Sequence, residues 1–466
     1  MKIILRTFIL FSALIPSLLS AQWNQRVKIS TGAVKAGLNE NMGPCLAVSN
    51  DTIHVVWSDH RTKGWSIYYK HSLDTGKTWS TSMPITDTTG KASMPVIAVS
   101  GKNVHVVWMD SLAGIRCSYY IRSTDGGNTW GQKALIDPNT LFWPSIAANG
   151  NLVIIGLNKG TFGVNTEVWI TRSTDNGNTW AAEQQISNAN GRSEDQAITI
   201  EGSQVHMSWN DNRTGTMYIE YRHSYDGGVT WGPETAVTNT NSYTTMTSAN
   251  GIYTDVVYGI NNLGNFDVGL VQSSDSGITF SAPKILANTA VGEAYPYMTR
   301  DKMNLHVVYG QFGSPGSVMY THSTDGGATW VSPIKLDYGF QTFIAYTKCA
   351  LHVIYQDSSV IYYRRNPTGN GVCNPATGMA EQYENASAIL YPNPFTEQSI
   401  LKISSAEKIE NAELKIFDLV GNVVRVISGI NMHEIKINRN NLLPGIYFYQ
   451  LKNNGTLITQ GKLIAQ

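Results

Sequence analysis

The sequence has few charges, few cysteines and no long apolar run beyond its first residues. Charged residues make up only 15% of the 466 residues, and 34 Lys plus Arg balance 34 Asp plus Glu. A neutral chain of this kind is not expected to bind nucleic acid or an anionic membrane surface. Its four cysteines allow three disulfide pairings, and the sequence alone does not choose among them. A pair between Cys349 and Cys373 would tie the end of a repeat array, described below, to the segment that follows it.

The one apolar run lies at the start of the chain. Lys2 and Arg6 provide a basic start, a stretch that is apolar from Phe8 to Leu19 comes next, and small residues follow at Ser20 and Ala21. This pattern is typical of a secretory signal peptide over residues 1–21. Because the run is too short to cross a bilayer comfortably, we expect no transmembrane anchor and a mature chain that leaves the cytoplasm.

A repeated octapeptide, Ser-x-Asp-x-Gly-x-Thr-aromatic, dominates the rest of the sequence. Its aspartates recur every 49 to 51 residues at Asp74, Asp125, Asp175, Asp226, Asp275 and Asp325. An Asp carboxylate can accept hydrogen bonds from amides across a turn, and the Gly permits a positive φ. The pattern therefore predicts a turn between strands, and its period predicts a propeller or a solenoid.

The octapeptide resembles the Asp-box, or bacterial neuraminidase repeat, of the sialidase superfamily. The resemblance implies an all-β propeller in which the repeated aspartates are structural. We assign it residues 22–365 and expect seven four-stranded blades, with six as the alternative. The seventh repeat, which starts at Leu351, has no Asp-box and no fourth strand after it, and the segment from Trp23 to Ser30 can supply that strand and close the ring.

Five histidines recur at one position of the repeat, namely His54, His105, His206, His306 and His352. A ring of histidines could bind a metal or take part in catalysis. Residues that recur in every repeat more often pack one repeat against the next, and this is the interpretation we favour. No spacing of His, Cys or Asp in the chain matches a dedicated metal site, and we predict no metal and no cofactor.

A functional site should use residues that break the repeat, on loops opposite the Asp-boxes. Sialidases hold the substrate carboxylate with three arginines and use a Tyr nucleophile, a Glu that activates it and an Asp acid. The resemblance suggests Arg61, Arg213 and Arg300 for the arginine clamp, Glu293 and Tyr295 for the nucleophile pair, and Asp59 for the acid. The Arg-Ile-Pro signature of that family is absent, because the corresponding segment reads Asn41-Met-Gly-Pro44.

Three hypotheses for function remain open at this point. The chain could be a secreted propeller that binds a glycan or a glycoprotein, an active sialidase-type glycoside hydrolase, or a scaffold on the cell surface that binds protein. The resemblance favours a glycan in each of the first two cases. We expect the propeller to be monomeric.

The last part of the chain has a different composition. Residues 366–388 are rich in Gly, Asn, Pro and Thr and are typical of a linker. Alternating strands and Asn-Gly turns over residues 389–466 predict a small β-sandwich. Its motifs Tyr391-Pro-Asn-Pro-Phe395, Leu443-Pro-Gly-Ile-Tyr447 and the ending that starts at Gly461 resemble the type A C-terminal sorting domain of type IX secretion cargo in Bacteroidota. The resemblance implies that the type IX translocon is a partner and that the protein is secreted or displayed on the outer surface.

Overall fold

The computed structural model describes the chain with the exception of residues 1–22, 33–34, 39–42, 89, 113, 142, 162, 348–349, 370–386, 392, 405–408, 419–421, 441, 454–455 and 466. The predicted signal peptide, most of the predicted linker, the Cys349–Cys373 pairing and part of the Asn41–Pro44 segment lie outside the described residues. The chain divides into two compact units, Met1–Asn374 and Pro375–Gln466.

Within its described residues, the first unit contains seven antiparallel sheets, which we number as blades in chain order. A short strand near its beginning, β1 (Val27–Lys28), belongs to the last of them. Blade 1 contains β2 (Ala36–Gly37), β3 (Leu46–Ser49), β4 (Thr52–Asp59), β5 (Ser66–Ser72) and β6 (Met83–Pro84), and blade 2 contains β7 (Ser93–Ser100), β8 (Asn103–Leu112), β9 (Ile115–Ser123) and β10 (Ala134–Asp137). Blade 3 contains β11 (Ser145–Asn149), β12 (Leu152–Thr161), β13 (Asn165–Ser173) and β14 (Gln184–Gln185), and blade 4 contains β15 (Ser193–Glu201), β16 (Gln204–Asp211), β17 (Tyr218–Ser224) and β18 (Thr235–Ala236). Blade 5 contains β19 (Ser242–Asn250), β20 (Tyr253–Asn262), β21 (Asn265–Ser273) and β22 (Lys284–Ala287), blade 6 contains β23 (Glu293–Asp301), β24 (Asn304–Gln311), β25 (Ser317–Ser323) and β26 (Ile334–Tyr338), and blade 7 contains β27 (Phe340–Tyr346), β28 (Leu351–Asp357) and β29 (Val360–Asn366).

The blades follow one another around a closed ring. The strands β3, β7, β11, β15, β19, β23 and β27 each contact the next in this order, and β27 contacts β3. The predicted closing strand is confirmed, because β1 pairs with the outer edge of blade 7 through Val27 opposite Tyr363 and Lys28 opposite Tyr362. Closure removes the exposed sheet edges that an open array would have. The predicted all-β propeller class is confirmed.

Each Asp-box forms the turn that leads into the outermost strand of its blade. In blade 2 the Asp125 Oδ1 accepts N–H bonds from Asn128 at 3.1 Å and Thr129 at 2.9 Å, and Oδ2 accepts the Thr129 hydroxyl at 2.6 Å. The Ser123 hydroxyl donates to Oδ1 at 2.7 Å. The Thr129 and Ser123 bonds favour the charged carboxylate and lower the pKa of Asp125 to about 2. The aspartate is therefore committed to the turn.

The recurring histidines and the Asp-boxes together connect neighbouring blades. His54 Nδ1 lies 2.6 Å from the Tyr69 hydroxyl within blade 1. The Tyr69 ring centroid lies 4.9 Å from that of Trp130 in the next Asp-box, and a Cβ on Gly127 would lie 1.8 Å from the Tyr69 oxygen. Glycine at this Asp-box position therefore makes room for the tyrosine. Equivalent pairs are His105 with Tyr120, His206 with Tyr221, His306 with Tyr320 and His352 with Tyr363. The histidines thus have a packing role.

The second unit is a separate β structure. Its strands are β30 (Ser387–Tyr391), β31 (Gln398–Ser404), β32 (Ala412–Phe417), β33 (Val423–Ile430), β34 (Glu434–Asn438), β35 (Gly445–Asn453) and β36 (Thr456–Ala465). They form one sheet of order β30-β31-β34 and another of order β33-β32-β35-β36. Leu401, Leu414, Ile437, Leu451 and Leu463 are fully buried in its core.

The described part of the chain contains no helix with the length and apolar character needed to cross a membrane. It also contains no group of three or more His, Cys, Asp or Glu side chains positioned to hold a metal ion.

Candidate functional site

The strand register distinguishes the two ends of each hairpin, and these ends form the two faces of the propeller. In blade 6, Leu305 pairs with Ser323, the first residue of the Asp-box, at one end of the β24–β25 hairpin. Gln311 pairs with Ser317 at the other end. The first end belongs to what we call the Asp-box face, and the second belongs to the opposite face of the ring.

The opposite face is marked by β-bulges in the innermost strands. The strands β7, β15, β19, β23 and β27 each shift register near this end. Each bulge contains a residue other than glycine with a φ between 50° and 57°, and these residues are Met94, Asp195, Thr244, Tyr295 and Gln341. Bulges re-aim side chains and are frequent beside functional sites. Because these five positions differ in residue type, they break the repeat, and we call this side of the ring the bulge face.

A cleft of about 330 Å³ opens on the bulge face between blades 6 and 7. The loop after β24 lines it with Phe312, Gly313, Pro315 and Gly316, the start of β27 with Gly339, Phe340 and Gln341, and the turn after β28 with Gln356, Asp357 and Ser358. Its volume lies at the lower end of the range found for small-molecule sites. The Phe312 side chain is 39% exposed, so its ring is available to a ligand.

Aromatic rings continue from this cleft across the bulge face to blade 5. The ring centroid of Phe340 lies 5.2 Å from Phe312 and 5.5 Å from Tyr295. Phe266 lies 5.9 Å from Phe312, and Tyr243 lies 6.4 Å from Phe266. All five side chains are exposed or half-buried. We call Tyr243, Phe266, Tyr295, Phe312 and Phe340 the aromatic patch.

Glycines hold two of these rings in place. A Cβ on Gly310 would lie 2.9 Å from Cε2 of Phe340, and one on Gly316 would lie 3.3 Å from its Cδ2. A Cβ on Gly292, which has a φ of 54°, would lie 3.0 Å from Cδ2 of Phe312. The rings therefore rest directly on backbone, and their positions are set before a ligand arrives, which reduces the entropy lost on binding.

Asp59 and Arg61 lie on the bulge face but are bound to each other. Asp59 is fully buried, and its Oδ2 accepts N–H bonds from the Trp57 indole at 2.9 Å and from Arg61 Nη2 at 2.6 Å. Arg61 Nη1 donates to the Thr31 carbonyl at 2.9 Å, and the guanidinium stacks 4.1 Å above the Tyr68 ring. In this arrangement Asp59 has no open path to a substrate.

Arg213 repeats the same arrangement in blade 4. Its Nε and Nη2 donate to Asp211 at 2.9 and 2.8 Å, and its Nη1 lies 2.6 Å from Glu234. The Trp209 indole donates to Asp211 at 3.2 Å, as the Trp57 indole does to Asp59. Trp-x-Asp-x-Arg is thus a blade motif that satisfies both charges internally.

Glu293 and Tyr295 lie near the cleft but have different environments. Glu293 is fully buried, and its carboxylate accepts hydrogen bonds from the Thr289 amide and hydroxyl and from Gln311 Nε2 at 3.2 Å. Tyr295, at the bulge, is half-buried and belongs to the aromatic patch. Of the six candidates from the sequence, Tyr295 is the one whose side chain belongs to the aromatic patch.

Arg300 lies at the opposite end of its strand from Glu293, and this corrects the expectation of a clamp on one face. Arg300 pairs with Leu305, beside the Asp-box, whereas Glu293 pairs with Gln311. Its side chain is 1% exposed and forms a two-bond ion pair with Asp255, with Nη2 to Oδ1 at 2.8 Å. Nη1 donates to the Lys302 carbonyl at 2.6 Å. Arg300 therefore joins blades 5 and 6 and is separated from Arg61 and Arg213.

The electrostatics of the cleft disfavour an anionic ligand. None of the ten described residues that line it is Lys, Arg or His, and Asp357 contributes a carboxylate. Arg26 Nη1, beside the cleft, lies 3.2 Å from Asp357 and 3.5 Å from Asp337. The guanidinium of Arg26 is therefore already shared by two carboxylates.

Two further buried carboxyl groups, Asp195 and Glu220, belong to blade 4 and do not line the cleft. Burial and then the Glu194 carboxylate raise the pKa of Asp195 to about 7, and Asn210 Nδ2 donates to its Oδ2 at 2.8 Å. Burial likewise raises the pKa of Glu220, which is 5% exposed, to about 7. These groups are enclosed, so we assign them to the structure of the blade.

Two family models match parts of the sequence. Residues 9–222 match the BNR repeat-like domain, and residues 389–466 match the secretion system C-terminal sorting domain. No curated protein matches the sequence.

Three solved structures align with this chain at low sequence identity. A polysaccharide lyase of family PL25, an ulvan lyase, aligns with a TM-score of 0.52 at 12% identity and covers 72% of this chain and 95% of its own. The sialidase of Trypanosoma rangeli aligns with a TM-score of 0.45 at 9% identity and covers 91% and 84%. The NanB sialidase of Streptococcus pneumoniae aligns with a TM-score of 0.41 at 12% identity and covers 74% and 70%. At 12% identity, the likeness to the ulvan lyase concerns the fold alone.

Proposed function

We propose that this chain, which contains a BNR repeat-like domain and a secretion system C-terminal sorting domain, is a glycan-binding propeller exported by type IX secretion. We further propose that it binds a neutral glycan without cleaving it. The observation that carries the proposal is the aromatic patch beside a cleft that is not lined by any cation among its described residues.

The shape and chemistry of the cleft suit a sugar. A pyranose has apolar C–H faces and a rim of hydroxyl groups, so its site needs aromatic surface together with polar groups at the edges. Phe312 and Phe340 supply the aromatic surface, and Gln341, Asp357 and Ser358 supply polar atoms around it. This combination of apolar walls and a few polar groups is the usual composition of small-molecule sites.

The charges favour a neutral sugar over sialic acid or a uronic acid. Recognition of a carboxylate normally uses Arg, whose fork of N–H donors matches the two oxygens. Arg61, Arg213 and Arg300 already have protein carboxylates as partners, and Arg300 lies on the other face. An arginine clamp for a substrate would require breaking these ion pairs, which leaves buried carboxylates uncompensated.

Sialidase-type hydrolysis is our second candidate function, because the two carboxyl groups it would need are enclosed by protein. The proposed acid, Asp59, is enclosed by Trp57 and Arg61, and the proposed activating group, Glu293, is fully buried among Thr289 and Gln311. Neither carboxyl group has the open approach that general acid or base catalysis at a bound substrate requires. An ulvan lyase with a similar fold has been solved bound to the segment -[GlcA(1-4)Rha3S]-, and this supports a glycan as the class of ligand.

The location of the protein follows from its C-terminal unit. The match to a sorting domain over residues 389–466 supports export through a secretion system. We propose that this system is the type IX translocon and that the protein acts at the outer surface or in the medium, where glycans of other organisms or of the environment are accessible.

A panel of paired glycans tests this function. The full chain is titrated with neutral glycans and with the same glycans capped by sialic acid, at low and high salt. We expect binding to at least one neutral glycan, weaker binding to its sialylated form, and little dependence on salt because no ion pair forms. Binding restricted to sialylated glycans, or turnover of a sialoside, contradicts the proposal and favours the hydrolase.

A further inference from the structure

The aromatic patch extends well beyond the cleft. Phe266 and Tyr243 belong to blade 5, whereas the cleft lies between blades 6 and 7. The rings nevertheless form a continuous series. The ring centroid of Phe312 lies 5.2 Å from that of Phe340 and 5.9 Å from that of Phe266. A single pyranose in the cleft would leave the rings of blade 5 without a ligand contact.

The bulges support a site that spans three blades. In blades 5 and 7 the bulged residue directly follows an aromatic residue of the patch, as Thr244 follows Tyr243 and Gln341 follows Phe340. In blade 6 the bulged residue, Tyr295, is itself aromatic. The bulged residues of blades 2 and 4 are Met94 and Asp195, without an aromatic residue beside them. In blade 3, Trp143 has a φ of 21°, but β11 shows no register shift beside it. Within the described residues, a register shift with an aromatic residue at the bulge therefore occurs in the three consecutive blades 5, 6 and 7.

Hydrogen bonds and close packing connect blades 5 and 6 beside Phe312. The Phe312 amide donates to the Gly292 carbonyl at 2.9 Å, and a Cβ on Gly292 would lie 3.0 Å from the Phe312 ring and 3.2 Å from Asn265 Oδ1. Asn265 Nδ2 in turn donates to the Thr289 carbonyl at 2.8 Å. Phe312 and Phe266 consequently keep their relative positions, and a ligand can contact both without a rearrangement.

We propose that the aromatic patch binds a linear neutral oligosaccharide, with consecutive sugar units lying over blades 7, 6 and 5. This inference rests on the proposed function and adds that the ligand is an extended chain and not a single terminal sugar. Phe340 and Phe312 contact the unit in the cleft, and Phe266 and Tyr243 contact the units beyond it. The uncharged surface that these rings present favours a chain without carboxylate or sulfate groups.

The test compares oligosaccharides of increasing length. The full chain is titrated calorimetrically with cello-, manno- and malto-oligosaccharides from the disaccharide to the hexasaccharide. In the series that binds, we expect the affinity to rise about tenfold or more with length before it levels off, because each further aromatic contact adds a favourable term. Affinity that is independent of length overturns the extended site while leaving a single-sugar site intact.

A variant at the far end of the patch makes the test specific. We expect Tyr243→Ala to weaken hexasaccharide binding about fivefold and to leave disaccharide binding unchanged within about twofold. Tyr225→Ala, which removes a 49% exposed tyrosine from the Asp-box face, serves as the matched control and should change neither. Equal loss for both ligands in Tyr243→Ala, with an unchanged melting temperature, contradicts the subsite order. If no series and no glycan of the paired panel binds, the proposed function itself fails.

Discussion

Replacing Phe312 by alanine is expected to weaken binding of the neutral glycan about tenfold or more while leaving the stability of the propeller nearly unchanged. Phe312 lies at the centre of the aromatic patch, between Phe266 and Phe340, so its loss removes stacking surface from the cleft and from the path to blade 5. Its side chain is 39% exposed, so the substitution opens no cavity in the core. Calorimetric titration with the ligand found in the glycan panel measures the change.

Two further variants make the Phe312 result interpretable. Phe312→Tyr keeps the ring and should retain affinity within about threefold, since the added hydroxyl can point to solvent. Tyr225→Ala should bind like the unmodified chain, because Tyr225 packs against His223 on the Asp-box face. An unchanged affinity in Phe312→Ala would show that the ligand binds elsewhere.

Replacing Arg300 by methionine is expected to lower the free energy of unfolding of the propeller by about 3–5 kcal/mol. The side chains of Arg300 and Asp255 are 1% and 0% exposed, so the substitution leaves a buried carboxylate without its counter-ion. Gln272 Nε2 still donates to Asp255 at 2.8 Å but carries no charge. The guanidinium also lies 4.8 Å above the Tyr253 ring, a contact that is lost as well.

Urea unfolding followed by tryptophan fluorescence measures this effect in the full chain. All 12 tryptophans lie between Trp23 and Trp330, so the signal reports the first unit alone. Arg26→Met is the matched control, because this arginine is 41% exposed in its ion pairs and should change stability by less than about 1 kcal/mol. The double variant Arg300→Met, Asp255→Asn should recover part of the loss, since the unpaired charge is removed. A stable Arg300→Met variant that has lost ligand binding would instead support a ligand contact by Arg300.

The fold was largely predictable from the sequence because its rules are local and repeated. The Asp-box encodes its own turn through the hydrogen bonds of Ser123, Asp125 and Thr129, and the same bonds recur in the other copies. The closing strand was predictable because the last repeat had no fourth strand and the beginning of the chain offered one.

The candidate site was less predictable, since it depends on details of register and pairing. Arg61 and Arg213 lie opposite the Asp-boxes, as the sequence led us to expect, yet their guanidinium groups are occupied by Asp59 and Asp211. The repetition of Trp-x-Asp-x-Arg was a signal that these charges serve the fold. Arg300 was expected on the same face as Arg61 and Arg213, but it lies on the Asp-box face. The expectation did not take into account that β23 runs from the bulge face, at Glu293, to the Asp-box face, at Arg300.

The aromatic patch was missed for a different reason. Tyr295 is brought into it by a bulge, and a bulge of one residue reverses the side on which the following side chains project. The alternation of apolar and polar residues does not reveal such a shift. A comparison of equivalent positions among the repeats could have indicated the patch. At the positions of Phe266, Phe312 and Phe340, an aromatic residue does not recur in every blade.

The most direct test of the account is hydrogen–deuterium exchange of the full chain with and without the neutral oligosaccharide that binds best. The ligand should slow amide exchange in the loop between β24 and β25 and around Phe340 and Gln341, with smaller effects near Tyr243. The Asp-box turns and the second unit should exchange at unchanged rates. Protection confined to the Asp-box face or to the second unit would contradict binding at the aromatic patch.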